Sequence, residues 1–203
     1  MNKFKVFTGG PLETNAYLLE TPCGNVLVDA PQGADAYFAE QKIDWLLLTH
    51  GHFDHVMDAA NIQKRHGCRL AFHPDTAVMV GDGSFFKKHG FNIEYAPCRA
   101  DLLLEEGPTS EVAGLEMRVL LVPGHCPGSL CFYFPENGTL VGGDVLFREG
   151  VGRWDLPGGN GPQLFEGIRR KIFTLPPETC VLPGHGPATT VGYERVNNPY
   201  VDA

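Results

Sequence analysis

The stretch LLLTHGHFDHVMDAA, residues 46–60, decides how this chain folds and what it can bind. Its leucines favour a buried strand, and three histidines and two aspartates follow them at once. In an extended segment alternate side chains point the same way, so His50 and His52 can converge on one point. Asp54 and His55 then fall at the start of the next predicted helix, close by but aimed differently. Imidazole and carboxylate groups in this arrangement indicate a site for two metal ions rather than one.

The competing interpretation of this stretch is a solvated polar turn whose histidines cap the next helix. Three later segments argue against it, because each places one more candidate ligand directly after an apolar run. These candidates are His125 in VPGHCPGS (122–129), Asp144 in VGGDV (141–145) and His185 in LPGHGP (182–187). Glycine and proline fix tight turns and let the backbone approach a site closely. We therefore predict that these ligands lie on stiffened loops at strand ends.

The composition is that of an ordinary globular protein, with 203 residues, 43% of them hydrophobic and 20% charged. The length suits one domain, and we predict a single domain over residues 1–203. No apolar run approaches the roughly 20 residues of a membrane-spanning helix, and the N-terminus has no secretory pattern. We expect a cytoplasmic protein without a membrane partner. The net charge of −8 weighs against nucleic acid as a partner.

Several other side chains have a structural and a functional interpretation. Six scattered cysteines without a CxxC pair predict reduced, mostly buried thiols, and this includes Cys126 beside His125. Asp29 ends an apolar run, where it either forms a turn or orients a ligand imidazole from behind. The isolated histidines are predicted to be structural or surface residues; they are His66, His73 and His89.

The secondary-structure signals alternate between short apolar runs and a few helical patterns. Nine strands are predicted: Phe4–Thr8, Ala16–Glu20, Val26–Asp29, Trp45–Thr49, Arg69–Phe72, Leu115–Val122, Leu130–Phe134, Thr139–Val141 and Cys180–Leu182. Three helices are predicted, at Ala34–Gln41, His55–His66 and Gln163–Thr174. Residues 74–100 give no definite signal and are a candidate lid over a site. Strands mixed with helices in this way predict an α/β protein whose sheet is covered by helices.

Four segments in this order resemble the motifs of the metallo-β-lactamase superfamily: THGHFDH (49–55), PGH (123–125), GGD (142–144) and PGHGP (183–187). They span most of the chain. The resemblance implies a four-layer αββα sandwich, in which two mixed sheets face each other and helices lie outside.

The same resemblance implies a centre of two divalent metal ions, with zinc expected and iron or manganese as alternatives. One ion would be bound by His50, His52 and His125. The other would be bound by Asp54, His55 and His185, and Asp144 would bridge the two ions together with a hydroxide.

The segments GDVLFREGVGRWDLPGGN (143–160) and YERVNNPY (193–200) are similar to glyoxalase II and its short bacterial relatives. This similarity implies metal-dependent hydrolysis of a thioester such as S-2-hydroxyacylglutathione. The bridging hydroxide would attack the carbonyl, and Asp54 would orient it as a catalytic residue. A cysteine in place of Asp144 or a glutamate in place of His52 would be typical of other branches of the superfamily, and neither is present.

One departure concerns recognition of the substrate. Glyoxalase II enzymes carry a C-terminal helical domain, whereas 18 residues follow His185 here. The family pattern GCGKFY corresponds to Gly150–Asp155, so Arg153 stands where a lysine meets glutathione and Asp155 stands where a tyrosine does. A guanidinium binds a carboxylate well, and we predict that Arg153 binds substrate.

Three other functions stay open at this point. A persulfide dioxygenase of the same superfamily would use one iron ion and O₂, and a lactonase would open a cyclic ester. A metal-binding or interaction module would not be an enzyme, and substitution of Asp54 by alanine would leave its biological activity intact.

Overall fold

The computed structural model describes residues 4–202, so the two ends of the predicted domain, residues 1–3 and 203, lie outside it. Its first sheet has six strands in sequential order: β1 (Phe4–Gly9), β2 (Thr14–Leu19), β3 (Val26–Val28), β4 (Trp45–Leu47), β5 (Arg69–Phe72) and β6 (Leu102–Leu103). The first three strands are antiparallel, and β3 to β6 run parallel. The sheet is therefore mixed.

The second half of the chain forms the other sheet and one short hairpin. Its strands are β7 (Gly107–Thr109), β8 (Met117–Leu121), β9 (Leu130–Phe134), β10 (Thr139–Gly143), β11 (Leu146–Phe147), β12 (Gly150–Val151), β13 (Cys180–Pro183) and β14 (Thr189–Thr190). Strands β11 and β12 pair with each other, and the remaining six form a sheet in the order β14-β13-β10-β9-β8-β7. Only the β10–β13 pair in this sheet is parallel among the described strands.

The helices lie on the outer faces of the two sheets. Five short helices follow strands of the first sheet: α1 (Ala34–Tyr37), α2 (Phe53–Val56), α3 (Ala59–His66), α4 (Ala77–Val80) and α5 (Phe85–Lys88). The second sheet is covered by α6 (Gly161–Gly167), which continues into a π-helical turn at Ile168–Ile172, and by α7 (Val191–Asn197). Two 3₁₀ turns complete the regular structure, at Pro74–Thr76 and Pro135–Asn137.

The layering follows from the alternation of side chains along buried strands. In β2, Ala16 and Leu18 pack into the core beneath the helices, whereas Tyr17 and Leu19 pack between the two sheets. A third core lies between the second sheet and α6 and contains Leu164. Three apolar cores separate four layers, and the predicted αββα sandwich is confirmed.

The predicted helices needed correction at their boundaries. The helix predicted over His55–His66 is two helices, because the chain breaks at Met57 and Asp58. The Asp58 carboxylate accepts hydrogen bonds from the backbone N–H groups of Gly33 and Asp35, at 2.8 and 3.1 Å, and so serves α1 instead. The predicted helix Ala34–Gln41 ends at Tyr37, and the one predicted over Gln163–Thr174 is α6 with its π turn, beginning at Gly161.

All nine predicted strands are present with shifts of one or two residues at some ends. Five strands of two or three residues were not predicted; they are β6, β7, β11, β12 and β14. Residues 74–100 contain a 3₁₀ turn, α4 and α5 and then irregular backbone. Within residues 4–202, no helix combines the length and hydropathy that crossing a bilayer requires.

Candidate metal centre

The centre lies where four strands from both sheets end. His50 and His52 follow β4, His125 follows β8, Asp144 follows β10 and His185 follows β13. Backbone hydrogen bonds join the two sheets beside these ends: Leu130 N–H donates to the Thr49 carbonyl at 2.8 Å, and Asn15 N–H donates to the Gly184 carbonyl at 2.8 Å. The two sheets therefore position the predicted ligands jointly.

Three histidines form what we call the first triad: His50, His52 and His125. All three are buried. The Nε2 atom of His125 lies 3.2 Å from His50 Nε2 and 2.8 Å from His52 Nδ1. His52 reaches this position because it is the N-cap of α2 with extended backbone, as the alternation of side chains predicted.

The second triad comprises Asp54, His55 and His185. Asp54 Oδ2 lies 3.4 Å from His55 Nε2 and 3.3 Å from His185 Nε2. Asp54 and His55 sit in the four-residue helix α2, which turns them away from the first triad. His185 is the most exposed of the ligands, with 26% of its side chain accessible.

Asp144 lies between the two triads. Its Oδ2 atom is 3.5 Å from His125 Nε2 and 3.4 Å from His185 Nε2, and its Oδ1 atom is 3.2 Å from His55 Nε2. One carboxylate thus contacts both groups of ligands. The structure brings together all seven of the predicted ligands.

In three of the predicted ligand imidazoles, the nitrogen that faces away from the centre contacts an oxygen atom. Asp29 Oδ2 lies 2.7 Å from His55 Nδ1, the Arg153 carbonyl lies 2.7 Å from His125 Nδ1, and the Leu12 carbonyl lies 3.0 Å from His185 Nδ1. Each contact fixes the ring so that Nε2 faces the centre. Of the two interpretations of Asp29, the orienting one is therefore correct.

Asp29 also organises the first triad. Its carboxylate accepts hydrogen bonds from the backbone N–H and the hydroxyl of Thr49, both at 2.8 Å. The Thr49 hydroxyl in turn lies 3.0 Å from His50 Nδ1. Asp29 adopts a left-handed backbone conformation, with φ of 63°, which aspartate tolerates better than most residues.

The electrostatic settings of the two triads differ. Burial lowers the pKa of His50, His52 and His125, so their lone pairs are free at neutral pH. Burial opposes protonation of His185 as well, but hydrogen bonds to Asp144 and Asp54 raise its pKa to about 10. The carboxylates similarly outweigh burial at His55 and raise its pKa well above the ordinary value.

The arrangement of donor atoms fits cations. Ligands 2.0–2.1 Å from one tetrahedral ion lie about 3.3 Å apart, close to the separations within each triad. His55 Nε2 and Asp144 Oδ1 are buried and, despite their 3.2 Å separation, neither has a partner with hydrogen-bond geometry. The first triad brings three imidazole nitrogens together, and none of its three members is an acid. Shared cations would satisfy all of these atoms, since nitrogen and carboxylate oxygen ligands suit zinc, iron and manganese.

Comparison with known proteins agrees with this centre. Residues 9–185 match the family model described as Metallo-beta-lactamase superfamily, which covers every ligand described above. The chain belongs to the metallo-β-lactamase superfamily.

Two superfamily relatives align along much or all of their length. The chain is 33% identical to the probable metallo-hydrolase YqgX of Bacillus subtilis, over 98% of each protein. It is also 33% identical to the hydroxyacylglutathione hydrolase GloC of Haemophilus influenzae, over 78% of this chain and 76% of the relative. These matches identify the chain as a metallo-hydrolase of the superfamily.

Two solved superfamily structures are similar along nearly the whole chain. The B3 metallo-β-lactamase BLEG-1 is 31% identical and superposes with a TM-score of 0.90, covering 99% of this chain and all of that one. TTHA1623, solved in a di-iron-bound form, is 38% identical with a TM-score of 0.86, covering 97% of this chain and all of that one. The fold of the superfamily is therefore present throughout residues 9–185.

Two glycines let the superfamily backbone close around Asp144. A Cβ atom on Gly184 would lie 2.1 Å from Asp144 Oδ1, and one on Gly152 would lie 1.9 Å from the Asp144 carbonyl oxygen. No side chain fits at either position. Gly184 of the PGHGP segment and Gly152, which follows β12, are thus required by the close approach of the backbone.

A cavity of about 680 Å³ opens above the superfamily centre. His52, Asp54, His125, Asp144 and His185 form its floor. Arg153, the predicted substrate-binding residue, lines its rim, where the exposed guanidinium donates to both carboxylate oxygens of Asp155 at 2.8 Å. The remaining lining is mostly apolar.

The other sequence predictions have mixed outcomes. All six cysteines lie within the described residues and none is in a disulfide, and Cys126 is buried. His66 ends α3, and His73 caps a 3₁₀ turn by accepting from Asp75 N–H. His89 is exposed, as predicted for a surface residue, and it also lines the cavity.

Two contributions to the centre had no signal in the sequence. The Thr14 hydroxyl donates to Asp54 Oδ2 at 2.8 Å, and the Leu12 carbonyl holds His185. Leu12 lies in the β1–β2 turn and Thr14 begins β2, far from every motif. The pairing of Thr14 with His185 and the hydrogen bond from Asn15 N–H to the Gly184 carbonyl, at 2.8 Å, bring this part of the chain to the centre.

Proposed function

We propose that this chain is a metal-dependent thioester hydrolase that acts on glutathione thioesters such as S-2-hydroxyacylglutathione. The observation that carries the proposal is the pair of ligand triads joined by Asp144 on the floor of a substrate-sized cavity. The similarity to the hydroxyacylglutathione hydrolase GloC supports the same substrate class.

In this proposal the residues of the first triad would hold one divalent ion and those of the second triad another, with Asp144 available to both. When bound, such ions would supply hydroxide at neutral pH and polarise a carbonyl group. The chain's own residues place the substrate carbonyl against that floor. The apolar lining keeps bulk water away from the reacting atoms, which strengthens every electrostatic contact there.

Asp54 has two assigned tasks in the proposal. Its Oδ2 atom is a metal ligand held by the Thr14 hydroxyl. The carboxylate also orients the attacking nucleophile, as predicted for a catalytic residue.

Arg153 provides the recognition of glutathione in the proposal. Its guanidinium is exposed and paired with Asp155, so a substrate carboxylate has to exchange with the Asp155 carboxylate. Such an exchange between two similar ion pairs in water costs little. A planar guanidinium also binds a carboxylate through two parallel hydrogen bonds, which sets the orientation of the substrate.

No side-chain nucleophile takes part. Cys126 is the cysteine next to a ligand, but burial raises the pKa of its thiol to about 11. A thiol in that setting is a weak nucleophile at neutral pH.

The test is a matched assay of the metal-loaded protein. S-D-lactoylglutathione, glutathione persulfide and an acyl lactone are supplied at equal concentrations, with oxygen uptake and elemental analysis measured in parallel. We expect glutathione release from the thioester, no oxygen uptake and close to two metal equivalents per chain. Oxygen uptake with the persulfide and one iron ion, or turnover of the lactone alone, would contradict the proposal.

A variant refines the test. Arg153→Ala is expected to raise KM for the glutathione thioester about tenfold with a smaller change in kcat, because the residue contributes binding rather than chemistry. Arg118→Ala, an exposed arginine outside the cavity, is the control and should leave both constants unchanged.

A further inference from the structure

The cavity above the metal centre has an uneven lining. Apart from the ligand side chains of the floor, only His89 and Arg153 are polar among the described residues that line it. The others are hydrocarbon or aromatic, and many come from residues 79–93. A thioester entering this cavity therefore meets a charged rim at one place and apolar surface elsewhere.

Four phenylalanines form one continuous surface, which we call the aromatic wall: Phe53, Phe85, Phe86 and Phe91. Phe86 is its centre, since its ring makes edge-to-face contacts with Phe53, Phe85 and Phe91 at centroid distances of 5.6, 5.3 and 6.2 Å. Offset and edge-to-face contacts at such distances are favourable. Contacts between the phenyl rings therefore hold the aromatic wall together.

The wall is also anchored from behind. Phe86 is buried and lies 6.1 Å from the Tyr95 ring, whose hydroxyl donates to the Met79 carbonyl at 2.7 Å. On the other side Phe86 faces the ring of His52, with 6.1 Å between centroids. Phe91, by contrast, keeps 43% of its surface exposed, although it lines the cavity. A large apolar side chain left open beside a reactive centre indicates a place for an apolar ligand group.

We propose that the aromatic wall binds the acyl group of the substrate, and that among glutathione thioesters it favours an apolar alkanoyl chain over a small hydroxyacyl group. The inference rests on the proposed thioester hydrolase function and specifies its acyl specificity. The thiol moiety then lies toward Arg153.

The acyl and thiol ends of the substrate are assigned from the parts of the chain that carry the aromatic wall and Arg153. Three members of the wall, Phe53, Phe85 and Phe86, belong to helices packed on the first sheet, and the wall borders the floor at His52. Arg153 follows β12 of the second half, and its carbonyl holds His125. A carbonyl over the floor thus has the aromatic wall beside His52, whereas the guanidinium of the cavity lining belongs to Arg153, on the segment that holds His125. Glutathione carries carboxylates, so it belongs on the guanidinium side.

A hydroxyacyl group gains little from the wall. His89 is the polar side chain there; its Nδ1 atom is engaged by the Phe85 carbonyl at 2.8 Å, so Nε2 is the one ring nitrogen left for a substrate hydroxyl group. Its ring also lies against the Phe85 ring, with centroids 4.3 Å apart. Each added methylene in an apolar pocket, by contrast, raises kcat/KM by roughly tenfold or more.

The experiment compares three glutathione thioesters with the metal-loaded enzyme: S-acetyl, S-D-lactoyl and S-hexanoyl. We expect kcat/KM for the hexanoyl thioester to exceed that for the lactoyl thioester by more than about tenfold. Phe91→Ala should remove most of this preference and change the acetyl rate by less than about twofold. Tyr37→Ala, another largely exposed aromatic residue but outside the cavity, should keep the preference.

The two proposals fail in different ways. Equal kcat/KM for the three thioesters overturns the acyl specificity and leaves the thioester hydrolase standing. If no thioester is hydrolysed, the proposed function fails, and calorimetry with non-hydrolysable thioethers decides about the wall. S-hexylglutathione should then bind about tenfold more tightly than S-methylglutathione, and Phe91→Ala should abolish the difference. Equal affinities, or no binding of either, overturn the inference.

Discussion

The two triads of the metal centre are built from similar side chains but in different settings. The first consists of three buried histidines whose pKa values burial holds low. The second contains a carboxylate and the partly exposed His185, whose pKa the neighbouring carboxylates raise to about 10. The imidazole nitrogens of the first triad are therefore unprotonated and ready to bind a cation, whereas at the second triad a cation has to compete with protons.

The largest effect should come from removing a ligand of the first triad. We expect His125→Ala to lose one metal equivalent and more than about a hundredfold in kcat, because even partners of ligands cost 10- to 100-fold. Elemental analysis and the thioester assay measure the two effects. His66→Ala, outside the centre, is the control. Full metal content in His125→Ala would refute the assignment of the first triad.

The next effect concerns the residue that serves both triads. Asp29→Asn keeps size and tolerates the left-handed backbone, but it removes the charge behind His55. We expect a 10- to 100-fold loss of metal affinity, larger at the second triad because its contact to Asp29 is direct. Competition with a chelator measures both affinities. Asp44→Asn is the matched control, because Asp44 is a half-buried aspartate that accepts a backbone hydrogen bond but lies outside the centre. An equal loss of metal affinity at both triads would contradict the expectation that Asp29 matters more for the second triad.

A third prediction uses pH to separate the triads. Since the raised pKa of His185 means that protons occupy it over the neutral range, metal affinity at the second triad should fall as pH is lowered from about 9. The first triad, with lowered pKa values, should keep its ion until more acidic pH. Dialysis at graded pH followed by elemental analysis should show two separate losses. Simultaneous loss of both ions would contradict the difference in proton competition.

The smallest effect should come from Cys126, which adjoins the first triad but contributes no ligand. Its sulfur packs 3.9 Å from the sulfur of Met79. We expect Cys126→Ala to retain activity within about twofold and to lose about 1 kcal/mol of stability, typical of a small buried truncation. Thermal unfolding and the thioester assay measure both. A collapse of activity with intact metal content would show that the thiol takes part.

Several of the predicted ligands could be found in the sequence because they follow an apolar run. His50 follows its strand directly, whereas His125 and His185 follow a strand and a Pro-Gly pair, and these are local features of the chain. The long strands were found for the same reason. Strands of two residues, such as β14, carry no readable period, since alternation needs more positions than they have.

The rest of the centre depends on tertiary contacts. The break between α2 and α3 arises because Asp58 binds backbone groups more than 20 residues away in sequence. Thr14 and Leu12 reach the ligands only through the pairing of two distant segments. The aromatic wall was hidden because phenylalanines at 85, 86 and 91 are equally typical of an ordinary core.

The close approach of Gly184 and Gly152 to Asp144 has a consequence for engineering the enzyme. Neither position accepts a side chain, so the backbone around the floor leaves no room for variation. Phe91, in contrast, is open to solvent at the cavity edge. Libraries that aim at new acyl groups should randomise residues 85–93 and leave the loops that contain Gly152 and Gly184 unchanged. Substitutions at 85–93 can alter acyl specificity while the backbone that positions Asp144 stays as it is.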